Sequence, residues 1–293
     1  MSGGSSAARI HQLLEQVSKL PVLNRRAIGA VVGACVADAA ARPLHWLYDQ
    51  EKLETYIEDR KPEFWPLSLS PYYSLQTGEN SCYFDLLFVM LDSLPSSSSS
   101  SVRTLDHFKA NIIKFFGPGT PYNEAYDLRP SIYDPSKRTE ERQPVPGPWI
   151  QKSVVVALSS LLQNEEPSGN PESKETDGTV SSIPLIAQLA IAGTDFSTLE
   201  VQQSIKTAAS VLSSNNVAIL HTLSVAMTLS LIIKHGESAL EQQALLAAVR
   251  GVQSELLNDV DEDMVASELM EVFNASSSES HTTHVAKWYQ LLL

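Results

Sequence analysis

Cys82 is the side chain best placed to do chemistry: it follows Asn80 and Ser81 and opens a stretch that reads as a helix to Leu94. A helix N-terminus lowers a thiol pKa and favours the thiolate, the nucleophilic form. An unreactive, half-buried thiol fits the same residues, and the sequence leaves both readings open. Cys35 lies in a run of Ala and Val, where a buried, inert thiol is expected. Two cysteines supply neither a disulfide framework nor a structural zinc site. Asp259-Val-Asp261-Glu-Asp263 imitates the start of a calcium loop, but Met264 and Met270 stand where Gly and Glu are required. Those carboxylates read better as the cap and first turn of a helix. His281 and His284 have no third ligand nearby, and His221 on an apolar helix reads as a hydrogen-bonded core histidine. There is no G-x-S-x-G elbow, Walker loop or dinucleotide fingerprint.

The elements around these residues are helical. Leu105, Phe108, Ile112 and Phe115 fall on one face, as do Val154, Ala157, Leu158 and Leu161. Val201, Ile205, Ala208 and Leu212 repeat the stripe, followed by Leu245, Ala248, Val249, Val252 and Leu256, then Val265, Leu269 and Val272. Val217 to Ile233 is apolar nearly all round, the pattern of an enclosed central helix. No stretch alternates with period two for long enough to make a sheet, so the fold class is all-α. Residues 1–22 read as an N-terminal helix or tail, 23–274 as one domain and 275–293 as a polar tail. Loops are expected near 95–103, where six serines run from Ser96 to Ser101, and near 134–148 and 165–178. Ten of the 21 aromatic residues lie between Trp46 and Phe88. That places a pocket wall, or a bulky half of the core, in the N-terminal third.

Composition narrows the classes of function. Over 293 residues, 43% are hydrophobic and 19% charged, which excludes a wholly disordered chain. A net charge of −13 argues against a nucleic-acid or membrane-surface partner. Eight carboxylates and no Lys or Arg lie between Arg250 and Lys287, a solvated acidic stretch. The N-terminus carries no signal pattern, and the longest run free of polar residues, Ala27 to Ala37, is short for a bilayer. A soluble, cytoplasmic protein is expected.

Gly29-Ala-Val-Val-Gly33-Ala-Cys-Val-Ala-Asp38-Ala-Ala-Ala-Arg-Pro43-Leu-His45 is dense in small residues, which lets neighbouring backbones approach closely. It resembles the opening helix of the ADP-ribosylglycohydrolase family, G-x-x-x-G-x-x-x-G-D-A-x-G-x-x-x-E. Gly78-Glu-Asn-Ser81-Cys82-Tyr83-Phe84-Asp85 sits where that family has T-D-D-T before a helix. Gly178 to Leu185 is similar to the family's G-N-G-x-x-M-R-I-x-P-L segment, and Ser213 to His221 to the segment before its long apolar helix. The resemblance covers roughly Leu23 to His235.

The resemblance implies hydrolysis of the bond between ADP-ribose and its acceptor, with two Mg²⁺ or Mn²⁺ ions held by carboxylates. In the family those come from the Glu after the first helix, from T-D-D and from a late G-G-D-x-D-T. Matched position by position, the Glu is His45, the Thr is Ser81, and the two Asp are Cys82 and Tyr83, while the late motif is absent. Asp38 and Asp85 remain; in the family an Asp at the first place is more structural than catalytic, and Asp85, one position beyond the T-D-D-T motif, could at best hold a single weak ion. The chain's last residues, Trp288 to Leu293, match no pattern of the family and suggest a truncated or alternative C-terminus. The substituted positions, with Phe116 to Tyr122 and Pro146 to Trp149, are similar to the branch that contains selenoprotein J and the J-type crystallins of jellyfish.

Expected, then, is a vestigial pocket of Asp38, Ser81, Tyr83 and Asp85 beside His45 and Cys82. No metal is expected unless residual family activity retains Mg²⁺ or Mn²⁺, and an ADP-ribose-like small molecule is the candidate ligand. The main reading is a crystallin-like or ligand-binding protein without hydrolase activity. Its alternatives are a thiol or selenol redox protein using Cys82, and a working metal-dependent hydrolase.

Overall fold

The computed structural model describes residues 3–58, 60–61, 63–94, 101–123, 144–167, 193–236 and 252. Among these, eight α-helices follow one another: α1 (Gly3–Ser18), α2 (Val22–Ala41), α3 (Gln50–Ile57), α4 (Cys82–Ser93), α5 (Ser101–Phe116), α6 (Lys152–Leu162), α7 (Leu199–Ser210) and α8 (Asn216–His235). A 3₁₀ turn, Arg42–Leu44, prolongs α2. Two short strands, β1 (Tyr73–Ser74) and β2 (Val145–Pro146), pair in parallel, with Tyr73 opposite Val145. Strands of two residues have no alternation to display, so the all-α reading holds while missing this one ladder.

Caps explain where the key helices begin. Ser81 Oγ accepts from the Tyr83 N–H at the start of α4, and Asn215 Oδ1 accepts from Val217 and Ala218 at the start of α8. Lys234 and His235 sit in the last turn of α8, where cations suit the dipole. Arg26 of α2 then donates to the Lys234 carbonyl at 2.8 Å, tying the two helices end to side. Gly236 suits that place: its φ is 68°, a left-handed backbone that favours glycine, and the Arg26 guanidinium lies 2.6 Å from where a Cβ would be.

The helices pack in the order α6, α5, α4, α2, α8, α7. Leu86 and Met90 of α4, Phe108 and Ile112 of α5, and Val154 and Ala157 of α6 form one apolar cluster. Ala27 of α2, Ile205 and Ala209 of α7, and Leu220, Leu223 and Ala226 of α8 form another. Ala208 of α7, with Val211 and Leu212 just beyond it, reaches back into the first cluster. A third, smaller cluster joins Leu44 and Trp65 to Leu53 and Ile57 of α3.

Three sequence expectations change. Helix α5 takes in Ser101, inside the loop expected near 95–103, because serine is well tolerated in a first helical turn. Gly29 and Gly33 admit no close backbone neighbour: nothing among the described residues stands within 4 Å of where their Cβ atoms would be. α2 packs instead through Ala27, Ala30 and Val31. Val22–Leu44 and Asn216–His235 are each long and apolar enough to cross a bilayer once interrupted runs are counted, although most of the latter is buried as a core helix is. The stripes over 245–256 (apart from Val252) and 265–272, the segment 178–185, the Asp259–Asp263 cap and the tail with His281 and His284 lie outside the described residues. So does most of the loops expected near 134–148 and 165–178.

Candidate functional site

The site is built on the last turn of α2. Asp38 and Arg42 stand four residues apart and grip the turn at 75–81 with opposite chemistry. Asp38 Oδ2 accepts from the Ser81 backbone N–H at 2.7 Å and from Asn80 Nδ2 at 3.0 Å, and Oδ1 accepts from the Ser81 hydroxyl. Arg42, fully buried, donates Nε to the Glu79 carbonyl at 2.8 Å and Nη2 to the carbonyls of Gln76 at 2.6 Å and Leu75 at 3.2 Å. Asn80 also donates to the Cys35 carbonyl, at 2.9 Å, and accepts from the Cys35 thiol. The start of α4 is thereby fixed against α2.

His45 follows the 3₁₀ turn and is 4% exposed. Its Nδ1 shares a hydrogen bond of 2.9 Å with Tyr73 Oη, and its ring meets that of Tyr83 edge-on at 6.0 Å. Burial, reinforced by the Arg42 cation, pushes the imidazole down to about 3, so His45 is neutral. Burial, and then the Asp38 carboxylate, hold the Tyr73 hydroxyl above its ordinary value. Asp38 itself is raised by burial, with the Ser81 and Asn80 hydrogen bonds and the Arg42 charge pulling the other way.

On α4, Cys82 is 4% exposed and belongs to the α4–α5–α6 cluster. Its place at a helix start agrees with the sequence; its burial closes the thiol to reagents from solvent. Asp85 accepts from the Tyr122 hydroxyl at 2.5 Å. Burial pushes Asp85 up to about 6, with Asp38 and Glu79 adding to the rise and Tyr122 opposing it. The half-buried Cys35 is also pushed up, by burial and then by Asp38 and Asp85.

Asp38, His45, Ser81, Cys82, Tyr83 and Asp85 therefore lie in one contiguous cluster. Sequence reasoning missed Arg42, Tyr73, Asn80 and Tyr122. Arg42 alone carried a signal, being a charge at the end of the Ala39-Ala-Ala run. A groove of 410 Å³ opens beside Trp46, Tyr48 and Tyr56, and none of the six lines it. Among the described residues, no group of three or more His, Cys, Asp or Glu is placed to hold a metal ion.

The sequence profile of the ADP-ribosylglycohydrolases matches residues 20–291. The chain belongs to the ADP-ribosylglycohydrolase family. Among curated proteins, this family member is similar to crystallin J1A of Tripedalia cystophora, 30% identical over 169 residues, which cover 57% of the chain and 48% of that crystallin. Crystallin J1B of the same animal is 29% identical over the same shares. The chain thus spans about half the length of these relatives, and no solved structure matches it significantly.

The half-buried Asp85 and the buried His45 give the ADP-ribosylglycohydrolase-like domain opposite pH responses. Native Asp85 binds a proton between its ordinary 3.8 and about 6 while the unfolded chain does not, so its contribution is fully present below pH 4 and is lost as pH rises through 6. Asp85→Asn should be more stable than wild type by about 1–3 kcal/mol at pH 7.5, with the difference gone below pH 4 in urea titrations. Neutral His45 works in the other sense: its contribution is present above 6.5 and is lost as pH falls toward 3, by up to about 5 kcal/mol. His45→Gln should gain on wild type as pH drops from 7.5 to 4.5; a gap independent of pH would contradict this assignment.

Proposed function

We propose that this chain keeps the helical body of its family without the family's metal-dependent hydrolysis, and serves as a non-catalytic, crystallin-like or ligand-binding protein. The observation that carries this reading is the inward use of every group at the matching positions. His45 is neutral and bonded to Tyr73, while Ser81 caps α4 and donates to Asp38. Cys82 is packed in an apolar cluster, and Tyr83 stands against the His45 ring. The two carboxylates left, Asp38 and Asp85, already accept from Ser81, Asn80 and Tyr122.

Two hard dications require several anionic oxygens with free lone pairs. The described residues at the matching positions do not fit them. Arg42 adds a fixed positive charge felt by both Asp38 and His45, and among the described residues its Nη1 has no hydrogen-bond partner to absorb that charge. A buried guanidinium of this kind repels an incoming cation. The names of the two crystallin relatives agree with a role that needs no turnover. An ADP-ribose-like small molecule remains the candidate ligand, and binding it would not require metal.

Calorimetry with Mn²⁺ and Mg²⁺, each alone and then with ADP-ribose, tests the reading. No saturable metal heat and no release of ADP-ribose from modified substrates are expected. Saturable, metal-dependent binding of ADP-ribose would overturn it. The thiol alternative is checked separately: iodoacetamide should label Cys82 in the native protein slower than in the urea-unfolded chain by about tenfold or more. Equal rates would move the function to thiol chemistry.

A further inference from the structure

Helix α1 stands in solvent along its length. Every residue from Ala8 to Gln16 is exposed, and Ile10, Leu13 and Leu14 are 56, 57 and 60% exposed. Their spacing of i, i+3 and i+4 sets them on one side of the helix, and Val17 continues the stripe one turn on. The other sides carry Arg9, Gln12, Glu15 and Lys19, of which Lys19 and Glu15 pair at 2.7 Å. An isolated helix of this length is marginal in water, since most helical stability comes from burying an apolar face. The stripe of α1 is such a face without a cover among the described residues.

A second open face belongs to α2. Ala27, Ala30 and Val31 turn toward α7 and α8, and Asp38 and Arg42 toward the turn at 75–81. The opposite side shows Val22, Gly29, Val32, Gly33 and Val36, all exposed, with Arg25 as its one charge. Gly29 and Gly33 make a shallow track there, since nothing among the described residues lies within 4 Å of where their Cβ atoms would be. A ridge of leucine and isoleucine packs into a track of this kind. The link Lys19-Leu20-Pro21 joins the two helices, yet α1 stays clear of its own α2. A second copy of the chain supplies both halves of the match.

Area and charge point to the same occupant. A Leu, Ile or Val that is half exposed presents about 90 Å². Pairing α1 with α1 through Ile10, Leu13 and Leu14 would remove about 500 Å² in all, below the roughly 1,200–2,000 Å² of a stable interface. With Leu20, Val22, Val32 and Val36 of each copy included, the total reaches about 1,200 Å² before polar neighbours are counted. A lipid surface suits these faces less. The polar side of α1 has no large excess of cations, and a chain of net charge −13 is repelled by anionic lipid. We propose that the open faces of α1 and α2 form the interface of a homodimer, in which α1 of each copy lies along α2 of the other. A twofold axis closes this exchange, because each copy gives one stripe and one track.

Sedimentation velocity of the full chain, at concentrations up to about 100 μM, should show a monomer–dimer equilibrium. Leu14→Glu on α1 and Val32→Glu on α2 should each weaken association by about tenfold or more. Gln12→Glu adds the same charge on the far side of α1 and should leave association unchanged. All three positions are exposed, and far-UV circular dichroism establishes that each variant is folded. A chain that stays monomeric at the highest concentration overturns the proposal, as does a dimer that survives either Leu14→Glu or Val32→Glu. So does a loss with Gln12→Glu as large as with Leu14→Glu. Flotation of a monomeric chain with phosphatidylcholine–phosphatidylserine vesicles, abolished by Leu14→Glu, would assign the faces to lipid instead.

Discussion

The grip of α2 on the turn at 75–81 is the constraint from which the rest of the site follows. Asp38 reads the amide and side chains of Asn80 and Ser81, while Arg42 reads the carbonyls of Leu75, Gln76 and Glu79. A short polar turn cannot be held by apolar contacts, so donors and acceptors must be matched one by one. With one carboxylate and one guanidinium a helical turn apart, both kinds of backbone group are satisfied. Ser81 is thereby fixed as the cap of α4, and Cys82, Tyr83 and Asp85 take their places from it.

This bracing also decides the electrostatics. A carboxylate bonded to an amide, an amide side chain and a hydroxyl has little left to offer a ligand. A guanidinium within range of Asp38 and His45 favours the ionised carboxylate and the neutral imidazole, and the imidazole then pairs with a phenol. Among the described residues, this cluster holds paired dipoles and one internal cation, Arg42. The acidity of the sequence lies elsewhere, in the stretch after Arg250.

Helices were legible because their signal is local. The stripe of Leu105, Phe108 and Ile112 and that of Val201, Ile205 and Ala208 repeat with the helical period, and the buried residues of α5 and α7 follow them. The cluster of Asp38, His45 and Ser81 was legible only through its resemblance to a motif. The charge of Arg42 after the alanine run was visible, but not what it holds, since its partners are carbonyls, which every residue carries and no residue type announces. Tyr122 reaches the cluster from a segment 37 residues beyond Asp85, and Tyr73 from a two-residue strand, and nothing local marks either. Gly29 and Gly33 misled in the opposite direction: small residues permit close approach without requiring it, and these two face outward.

Helix α7 belongs to both large apolar clusters, giving Ile205 and Ala209 to one and Ala208, with Val211 and Leu212 just beyond, to the other. Neither cluster can loosen without withdrawing part of the other's packing. The two halves of the helical body are therefore one cooperative unit, and a sequence change in either is felt by the whole. Partly opened states that expose apolar surface are thereby suppressed together.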